Sequence, residues 1–238
     1  MSERFFLRSA PRAGRALLAG DEARHLVRVL RAAVGDEIRV FDGSGDEWPA
    51  RVAAIGRDEV LLEVGPAVAA VAPAGVPLTI AVALPKGERQ KWLVEKLTEL
   101  GTARLVPLVT SRGVAEATSA AVERLHRGVV EACKQCGRSA LMEIAAPATV
   151  AEVCATVPAG GRMILCDRAG PALAPDALGA ATAIVALVGP EGGFTPEEIA
   201  AATGAGAMRA GLGPHVLRVE TAAVAIAARL SPDGRPSH

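Results

Sequence analysis

The sequence predicts an α/β protein in which a small β-barrel precedes a domain built on a parallel sheet. Short strand candidates joined by turns fill residues 1–64, and an uncharged stretch rich in Ala, Val, Pro and Gly follows at 65–77. Beyond it, strands alternate with helices, which favours parallel pairing. Their continuous apolar runs are typical of strands covered on both faces. The uncharged stretch is interpreted as a linker between domains 1–72 and 73–238, although it could instead add a last strand to the barrel.

The N-terminal domain is predicted to contain one helix among four strands. Asp21 is a suitable N-cap for a helix that extends through Ala33, with apolar residues spaced for one face. The strand candidates are separated by Gly- and Asp-containing turns, and they are 4–7, 37–41, 48–55 and 59–64.

The C-terminal domain is predicted to follow a strand–helix rhythm. Thr195 is a natural N-cap, Pro196 suits a first helical turn, and Glu198 completes a capping box. Thr149 begins a second capping box and a short helix. The other predicted helices are 89–100, 120–136 and 220–230, and the predicted strands are 78–84, 105–109, 163–166 and 184–188.

Charge gives an ambiguous indication of a polyanionic partner. The 238 residues have a formal net charge of zero, which argues against a uniformly basic coat. However, residues 1–31 hold seven Arg against three acidic residues, and residues 85–138 hold ten basic against six acidic residues. Two such excesses are compatible with a nucleic-acid footprint, and equally with two solvated faces.

Several classes of site are disfavoured by the motifs. Cys133 and Cys136 form a C-x-x-C pair without a second pair at zinc spacing, so we expect structural thiols and no metal. Dinucleotide, Walker and nucleophile-elbow motifs are absent. The sequence has neither a signal peptide nor a long apolar run, which predicts a soluble cytoplasmic protein with no membrane partner.

Two glycine-containing loops are the strongest candidate site. The apolar strand 184–188 runs into Gly189–Gly193 before a capped helix, and a second loop at 211–218 precedes the last helix. Glycines let backbone N–H groups approach a ligand, and the helix dipole adds partial positive charge. The alternative is that the loops bind no ligand, because two tight turns in an alanine-rich fold would have the same spacing. The loop around Lys86 lies at another predicted strand end and is either a ligand loop or a charged turn.

These residues together resemble the RsmE family of bacterial 16S rRNA uridine N3-methyltransferases, which belong to the SPOUT class. The resemblance spans nearly the whole chain in order. The matching segments are Arg4-Phe5-Phe6, His25 to Arg31, Gly35-Asp36, Phe41-Asp42-Gly43, Leu84 to Gly87, Glu99-Leu100-Gly101, Arg112, Glu131-Ala132, Gln135 to Arg138, Gly189 to Phe194, Leu212-Gly213 and Val216 to Ala222.

The resemblance implies a PUA-like RNA-binding barrel followed by a SPOUT α/β domain with a deep trefoil knot. It further implies a homodimer that binds S-adenosylmethionine and methylates N3 of one uridine in the decoding region of 16S rRNA, on the assembled 30S subunit. Methylation of another RNA such as tRNA, or a non-catalytic role as an RNA-binding assembly factor, are the alternatives.

The resemblance also supplies candidate residues. The hypothetical source of charge for the uracil anion is Arg218, chosen because it directly follows the implied cofactor residue Leu217, or an N-terminal arginine (Arg8 or Arg12). No general base is assigned. The implied cofactor residues are Leu165, Leu187, Gly189, Pro190, Glu191, Gly192, Gly193, Leu212, Gly213, Val216, Leu217 and Thr221. From the basic segments we also predict RNA contacts at Arg4, Arg8, Arg12, Arg28, Arg31, Lys86, Arg89, Arg112 and Arg138.

Overall fold

The computed structural model describes residues 3–69, 75–114, 118–173 and 178–231. The chain divides into an N-terminal unit, Met1–Ala72 with Cys133–Leu141, and a C-terminal unit, Pro73–Ala132 with Met142–His238. The sequence did not predict that 133–141 would join the N-terminal unit. The boundary between the two predicted domains stays a prediction.

The N-terminal unit is a curled six-stranded sheet. Its strands are β1 (Arg4–Phe6), β2 (Arg15–Ala19), β3 (Glu37–Phe41), β4 (Asp46–Ile55), β5 (Glu59–Val64) and β6 (Val68–Ala69). The sheet order is β1-β3-β4-β5-β2, with β6 paired to β4. Alternation buries one face of β3 and β4 against a core that includes Phe5, Leu18 and Leu62. Because β6 pairs in this sheet, part of the predicted linker contributes a strand, and the rest of it at 70–74 lies outside the described residues.

The predicted helix from Asp21 to Ala33 is wrong in length and type. The structure has a short α1 (Gly20–Arg24), which continues as a π-helix over His25–Val29. The N–H of Leu30 donates to the carbonyl of His25, five residues earlier, at 3.1 Å. Arg31 then takes a φ of +56°, in the left-handed region, and this ends the helix.

The C-terminal unit contains a seven-stranded sheet in which every pairing is parallel, as predicted. Its order is β10-β8-β7-β12-β11-β13, with β9 beside β8. All five residues of β12 are buried, which confirms the expectation of a strand covered on both faces. The strands are β7 (Leu78–Val82), β8 (Arg104–Val109), β9 (Glu143–Ile144), β10 (Ala148–Thr149), β11 (Arg162–Cys166), β12 (Ile184–Val188) and β13 (Met208–Ala210).

Five helices occur in the described ranges after β6, and the last residues of one of them, 133–136, belong to the N-terminal unit. The five helices are α2 (Glu88–Glu99), α3 (Ser119–Cys136), α4 (Val150–Ala155), α5 (Pro196–Gly204) and α6 (Val219–Leu230). Both predicted capping boxes are present, at Thr149 and Thr195. Helix α6 packs against α2, β7 and β12, so the C-terminal segment returns to the centre of the sheet. Within the described residues, no helix has the length and apolar character that a membrane crossing requires.

Candidate active site

A cavity of about 280 Å³ lies at the carboxyl ends of β11 and β12. The glycine loop (Gly189–Gly193) connects β12 to α5 and forms one wall, and residues 212–217 of the second loop, before α6, form another. Ligands of parallel α/β sheets bind beyond the carboxyl ends of the strands, so this cavity is the candidate active site. Its lining consists of Cys166, Asp167, Arg168, Val188, Gly189, Pro190, Glu191, Gly192, Gly193, Phe194, Leu212, Gly213, His215, Val216, Leu217, Val219 and Ala222.

The shape of the glycine loop depends on two of its glycines. A Cβ atom at Gly189 would lie 3.0 Å from the ring of the buried Phe194, closer than ordinary packing allows. Gly193 has a φ of +70°, which favours glycine, and its N–H donates to the carbonyl of Pro190 at 2.8 Å. The loop therefore presents main-chain atoms to the cavity with few side chains in the way.

The helix that follows the glycine loop begins at a fixed point. The N–H of Glu198 donates to Thr195 Oγ1 at 3.3 Å, and the Thr195 N–H donates to the Glu198 carboxylate at 2.8 Å. Hydrogen bonds to its own backbone and to Thr195, with the charge of Arg112, hold the pKa of the nearby Glu197 carboxyl below its usual range. This reciprocal capping locates the first turn of α5 directly after the loop.

The second loop offers main-chain groups to a ligand. Among the hydrogen bonds of the described residues, none uses a backbone N–H or carbonyl of residues 212–217. Val216 is 68% exposed, and Leu212 and Leu217 add further apolar surface to the lining. Free backbone donors and acceptors beside aliphatic side chains suit an uncharged heterocycle.

A close backbone crossing lies outside the cavity lining, between the segments that follow β11 and β13. A Cβ atom at Gly170 would lie 2.8 Å from the Ala210 nitrogen, and one at Gly211 would lie 2.8 Å from the Gly170 carbonyl oxygen. The Gly211 N–H donates to the carbonyl of Pro171 at 2.7 Å. Beside the crossing, the guanidinium of Arg209 binds the Asp167 carboxylate, with Nε to Oδ2 at 2.8 Å. Only glycine at positions 170 and 211 allows the two segments to lie this close.

Most of the residues implied for the cofactor lie together at the cavity. Nine of the twelve line it: Gly189, Pro190, Glu191, Gly192, Gly193, Leu212, Gly213, Val216 and Leu217. Leu165 and Leu187 are fully buried inside β11 and β12, and Thr221 is exposed on α6 outside the lining. Sequence reasoning missed the wall at 166–168, which has no glycine motif. Its position directly after a predicted strand was the signal available.

Cys166 is the one cysteine in the lining of this cavity. Burial raises the pKa of its thiol to about 12, so the thiol stays protonated near neutral pH and is a poor nucleophile. Across the described ranges, no cluster of three His, Cys, Asp or Glu side chains has the geometry to hold a metal ion.

Arg218 lies next to the cavity but not in its lining. It is the exposed residue that precedes α6, directly after the lining residue Leu217. Its side chain makes no hydrogen bond or ion pair with any residue that the structure describes. The guanidinium is therefore available for an external negative charge.

The nine cations implied for RNA fall into two groups. Five are exposed and make no side-chain ion pair or hydrogen bond within the described residues: Arg8, Arg12, Arg28, Arg31 and Lys86. The other four bind groups of the protein itself or are partly buried: Arg4, Arg89, Arg112 and Arg138.

The Arg4 side chain binds groups inside the N-terminal unit and is not a free charge at its surface. Its side chain is 10% exposed, and its Nη2 lies 2.6 Å from the Glu47 carboxylate. Nη1 donates at 2.6 Å to the carbonyl of Cys133, near the end of α3, and Nη2 donates at 2.8 Å to Ser139 Oγ. With these donors occupied, Arg4 is a structural cap and has little capacity for a phosphate. Arg138 is partly buried, and this burial lowers the pKa of its guanidinium.

Arg89 and Arg112 contact the glycine loop or its surroundings. Arg89 Nη1 lies 3.2 Å from Glu191 Oε1 and 3.6 Å from Glu220 Oε1. Glu220 is only 6% exposed, and its Oε2 has no hydrogen-bond partner among the described residues. Arg112 Nη1 donates to the carbonyl of Gly192 at 2.7 Å.

The chain matches two protein-family models. Residues 72–231 match the RNA methyltransferase domain, and residues 18–65 match the RNA methyltransferase PUA domain. Among curated relatives, "Ribosomal RNA small subunit methyltransferase E" of Mycobacterium bovis is 34% identical over 92% of this chain and 87% of the relative. The protein of the same name from Synechocystis is 33% identical over 88% of this chain and 70% of the relative.

Solved structures with the same fold include two with a bound cofactor. The ribosomal RNA small subunit methyltransferase E from Neisseria gonorrhoeae, bound to S-adenosyl methionine, has a TM-score of 0.87 at 27% identity and covers 96% of each chain. A protein from Legionella pneumophila in complex with the bound cofactor SAM has a TM-score of 0.86 at 25% identity and covers 97% of each chain. These matches confirm the predicted fold class, a PUA-like N-terminal sheet and a SPOUT α/β domain. The knot stays a prediction.

Proposed function

Because the chain belongs to the ribosomal RNA small subunit methyltransferase E family, we propose that it uses S-adenosylmethionine to methylate N3 of one uridine in the decoding region of 16S rRNA. The observation that carries the proposal is the cavity between the glycine loop and the second loop. The substrate is the assembled 30S subunit, and the enzyme is a homodimer.

The residues at the cavity fit this cofactor. Backbone groups of 212–217 without intramolecular partners can pair with the edge of an adenine, and Leu212 and Leu217 can cover its faces. The Asp167 and Glu191 carboxylates in the lining can accept hydrogen bonds from hydroxyl or ammonium groups. The cofactor supplies an electrophilic methyl group. The role of the cavity is to hold that group in line with the attacking nitrogen, because correct orientation supplies much of such a rate enhancement.

The protein must also favour the anion of the uracil. N3 carries a proton at neutral pH, and its removal leaves negative charge spread over O2 and O4. A fixed cation beside these oxygens stabilises that charge where it develops. Arg218 has a free guanidinium and a suitable position for this role, at the end of the second loop and directly after the lining residue Leu217.

Arg218→Ala is expected to slow single-turnover methylation while cofactor binding stays near the wild-type value. Loss of one such donor costs roughly 10²-fold or more in related oxyanion sites, and Arg218→Lys should restore part of the rate. Single-turnover rates with saturating enzyme and a titration with S-adenosylmethionine would separate the two effects. A normal rate in Arg218→Ala would remove Arg218 from the mechanism.

The RNA contacts that we propose are the five exposed cations that make no side-chain ion pair or hydrogen bond within the described residues. In the N-terminal unit they are Arg8, Arg12, Arg28 and Arg31, and in the C-terminal unit Lys86. Arg28 lies within the π-helix and Arg31 takes the left-handed conformation after it. Irregular backbone of this kind is often found at functional sites.

The proposal is tested by methyl transfer to defined substrates. The purified protein would be incubated with radiolabelled S-adenosylmethionine and either 30S particles that lack the modification, naked 16S rRNA, or tRNA. Label on the 30S particles, with little on naked rRNA or tRNA, is the expected result. Transfer to tRNA alone would favour a different substrate, and binding without any transfer would favour a non-catalytic assembly factor.

A further inference from the structure

Two arginines reach the glycine loop from the ends of neighbouring strands. Arg89 belongs to α2, which follows β7, and Arg112 follows β8. The geometry points to Arg112 as a positioning residue that holds the glycine loop in its ligand-binding shape, with Arg89 in a supporting role. Neither is then a primary RNA contact. The inference rests on the proposed function, because the loop is taken to bind the methyl donor.

Arg112 holds the main chain of the loop. Its Nη1 donates to the Gly192 carbonyl at 2.7 Å, a length typical of a good hydrogen bond from a charged donor. Its aliphatic part covers the same residue, since a Cβ atom at Gly192 would lie 3.4 Å from Arg112 Cδ. A charged hydrogen bond and direct packing thus act on one peptide of the loop.

The segment that carries Arg112 is itself fixed to α5. The N–H of Ser111 donates to Glu198 Oε1 at 2.8 Å, while Oε2 of the same carboxylate closes the capping box with Thr195. Glu198 therefore links the end of β8 to the start of α5. The glycine loop lies between this link and the end of β12, so Arg112 approaches it from an anchored base.

Arg89 acts from a different strand end. Its Nη1 is placed between Glu191 of the glycine loop, at 3.2 Å, and Glu220 of α6, at 3.6 Å. Arg89 and Glu191 are 39% and 45% exposed, and such exposed pairs are individually weak. The contact with Glu220 matters more, because this carboxylate is buried and its Oε2 has no hydrogen-bond partner among the described residues. The Arg89 guanidinium places a positive charge beside it.

The loop needs such anchors because its own bonding is sparse. One internal backbone hydrogen bond, from Gly193 to Pro190, closes it, and three of its five residues are glycine. Glycine has the largest backbone freedom to lose when a ligand orders it. A loop that is already held binds its ligand more tightly, because the ordering cost is met before binding.

The test is cofactor binding without RNA. Isothermal titration with S-adenosylmethionine would compare wild type, Arg112→Ala, Arg112→Lys and the matched control Arg124→Ala, which removes an exposed arginine on α3 away from the cavity. We expect Arg112→Ala to weaken binding roughly threefold to tenfold, the usual value of one such hydrogen bond. Arg112→Lys should recover part of the loss, and Arg124→Ala should match wild type.

Hydrogen exchange gives a second readout that does not depend on the cofactor. Backbone amides of residues 189–194 should exchange faster in Arg112→Ala than in wild type or Arg124→Ala, at an unchanged Tm. An unchanged affinity for S-adenosylmethionine in Arg112→Ala, or an Arg112→Lys as weak as the alanine variant, would overturn the inference. A wild-type protein that binds no S-adenosylmethionine would instead contradict the proposed function, and the exchange result would still judge the role of Arg112.

Discussion

The backbone crossing between Gly170 and Gly211 gives the sharpest prediction about stability. Gly211→Ala adds a Cβ atom 2.8 Å from the Gly170 carbonyl oxygen, well inside van der Waals contact. The neighbour is backbone and cannot rotate away, so the segments must separate, and the 2.7 Å hydrogen bond from Gly211 to Pro171 lengthens with them. Overpacking costs about 1–3 kcal/mol, and a weakened hydrogen bond about 1 kcal/mol.

The matched control is Gly204→Ala at the end of α5. Position 204 has no atom within 4 Å of a new Cβ and no positive φ, so alanine should be neutral or slightly stabilising. A loss of about 2 kcal/mol in a chain of this size lowers Tm by roughly 4–8 °C. Thermal unfolding followed by circular dichroism would measure both variants. Equal Tm values for wild type, Gly204→Ala and Gly211→Ala would refute the close crossing.

Two further predictions concern the N-terminal unit. Burial alone raises the pKa of Glu47, but hydrogen bonds and charge from Arg39 and Arg4 hold this pKa below its usual value, so the folded unit binds protons less readily than the unfolded chain. The ionised Glu47 therefore stabilises the folded protein above about pH 4.5, and this stabilisation is lost as the pH falls through the folded pKa. The free energy of unfolding of Glu47→Gln should vary less with pH over the acid range than that of wild type. RNA binding should weaken steeply with salt, and Arg28→Ala should reduce the slope of log K by about one, whereas an unchanged slope would remove Arg28 from the footprint.

The apolar runs made the C-terminal sheet predictable. Strand β12 is buried over its whole length, and its sequence contains nothing but Ile, Val, Ala and Leu, so its burial could be expected from composition. The capping boxes at Thr149 and Thr195 were equally local signals. Strands β9, β10 and β13 have two or three residues and depend on neighbouring strands, so no sequence pattern identified them.

Long-range contacts limited the prediction of the site. The glycine motifs located two walls of the cavity, but the wall at 166–168 is defined by the neighbours of β11 and not by its own sequence. Charge alone could not separate Arg4 and Arg112, which bind carbonyl groups of the protein, from Arg8 and Arg28, which do not. That distinction depends on residues up to 135 positions apart in the chain.

The central claim is that this chain methylates N3 of a uridine in 16S rRNA, and the identity of the modified nucleoside tests it most directly. Purified protein would be incubated with S-adenosylmethionine and 30S particles that lack the modification, and the digested 16S rRNA would be analysed by mass spectrometry. The account predicts 3-methyluridine, near one molecule per particle, in a fragment from the decoding region. No new methylated nucleoside, or a methyl group on a ribose or on another base, would contradict it.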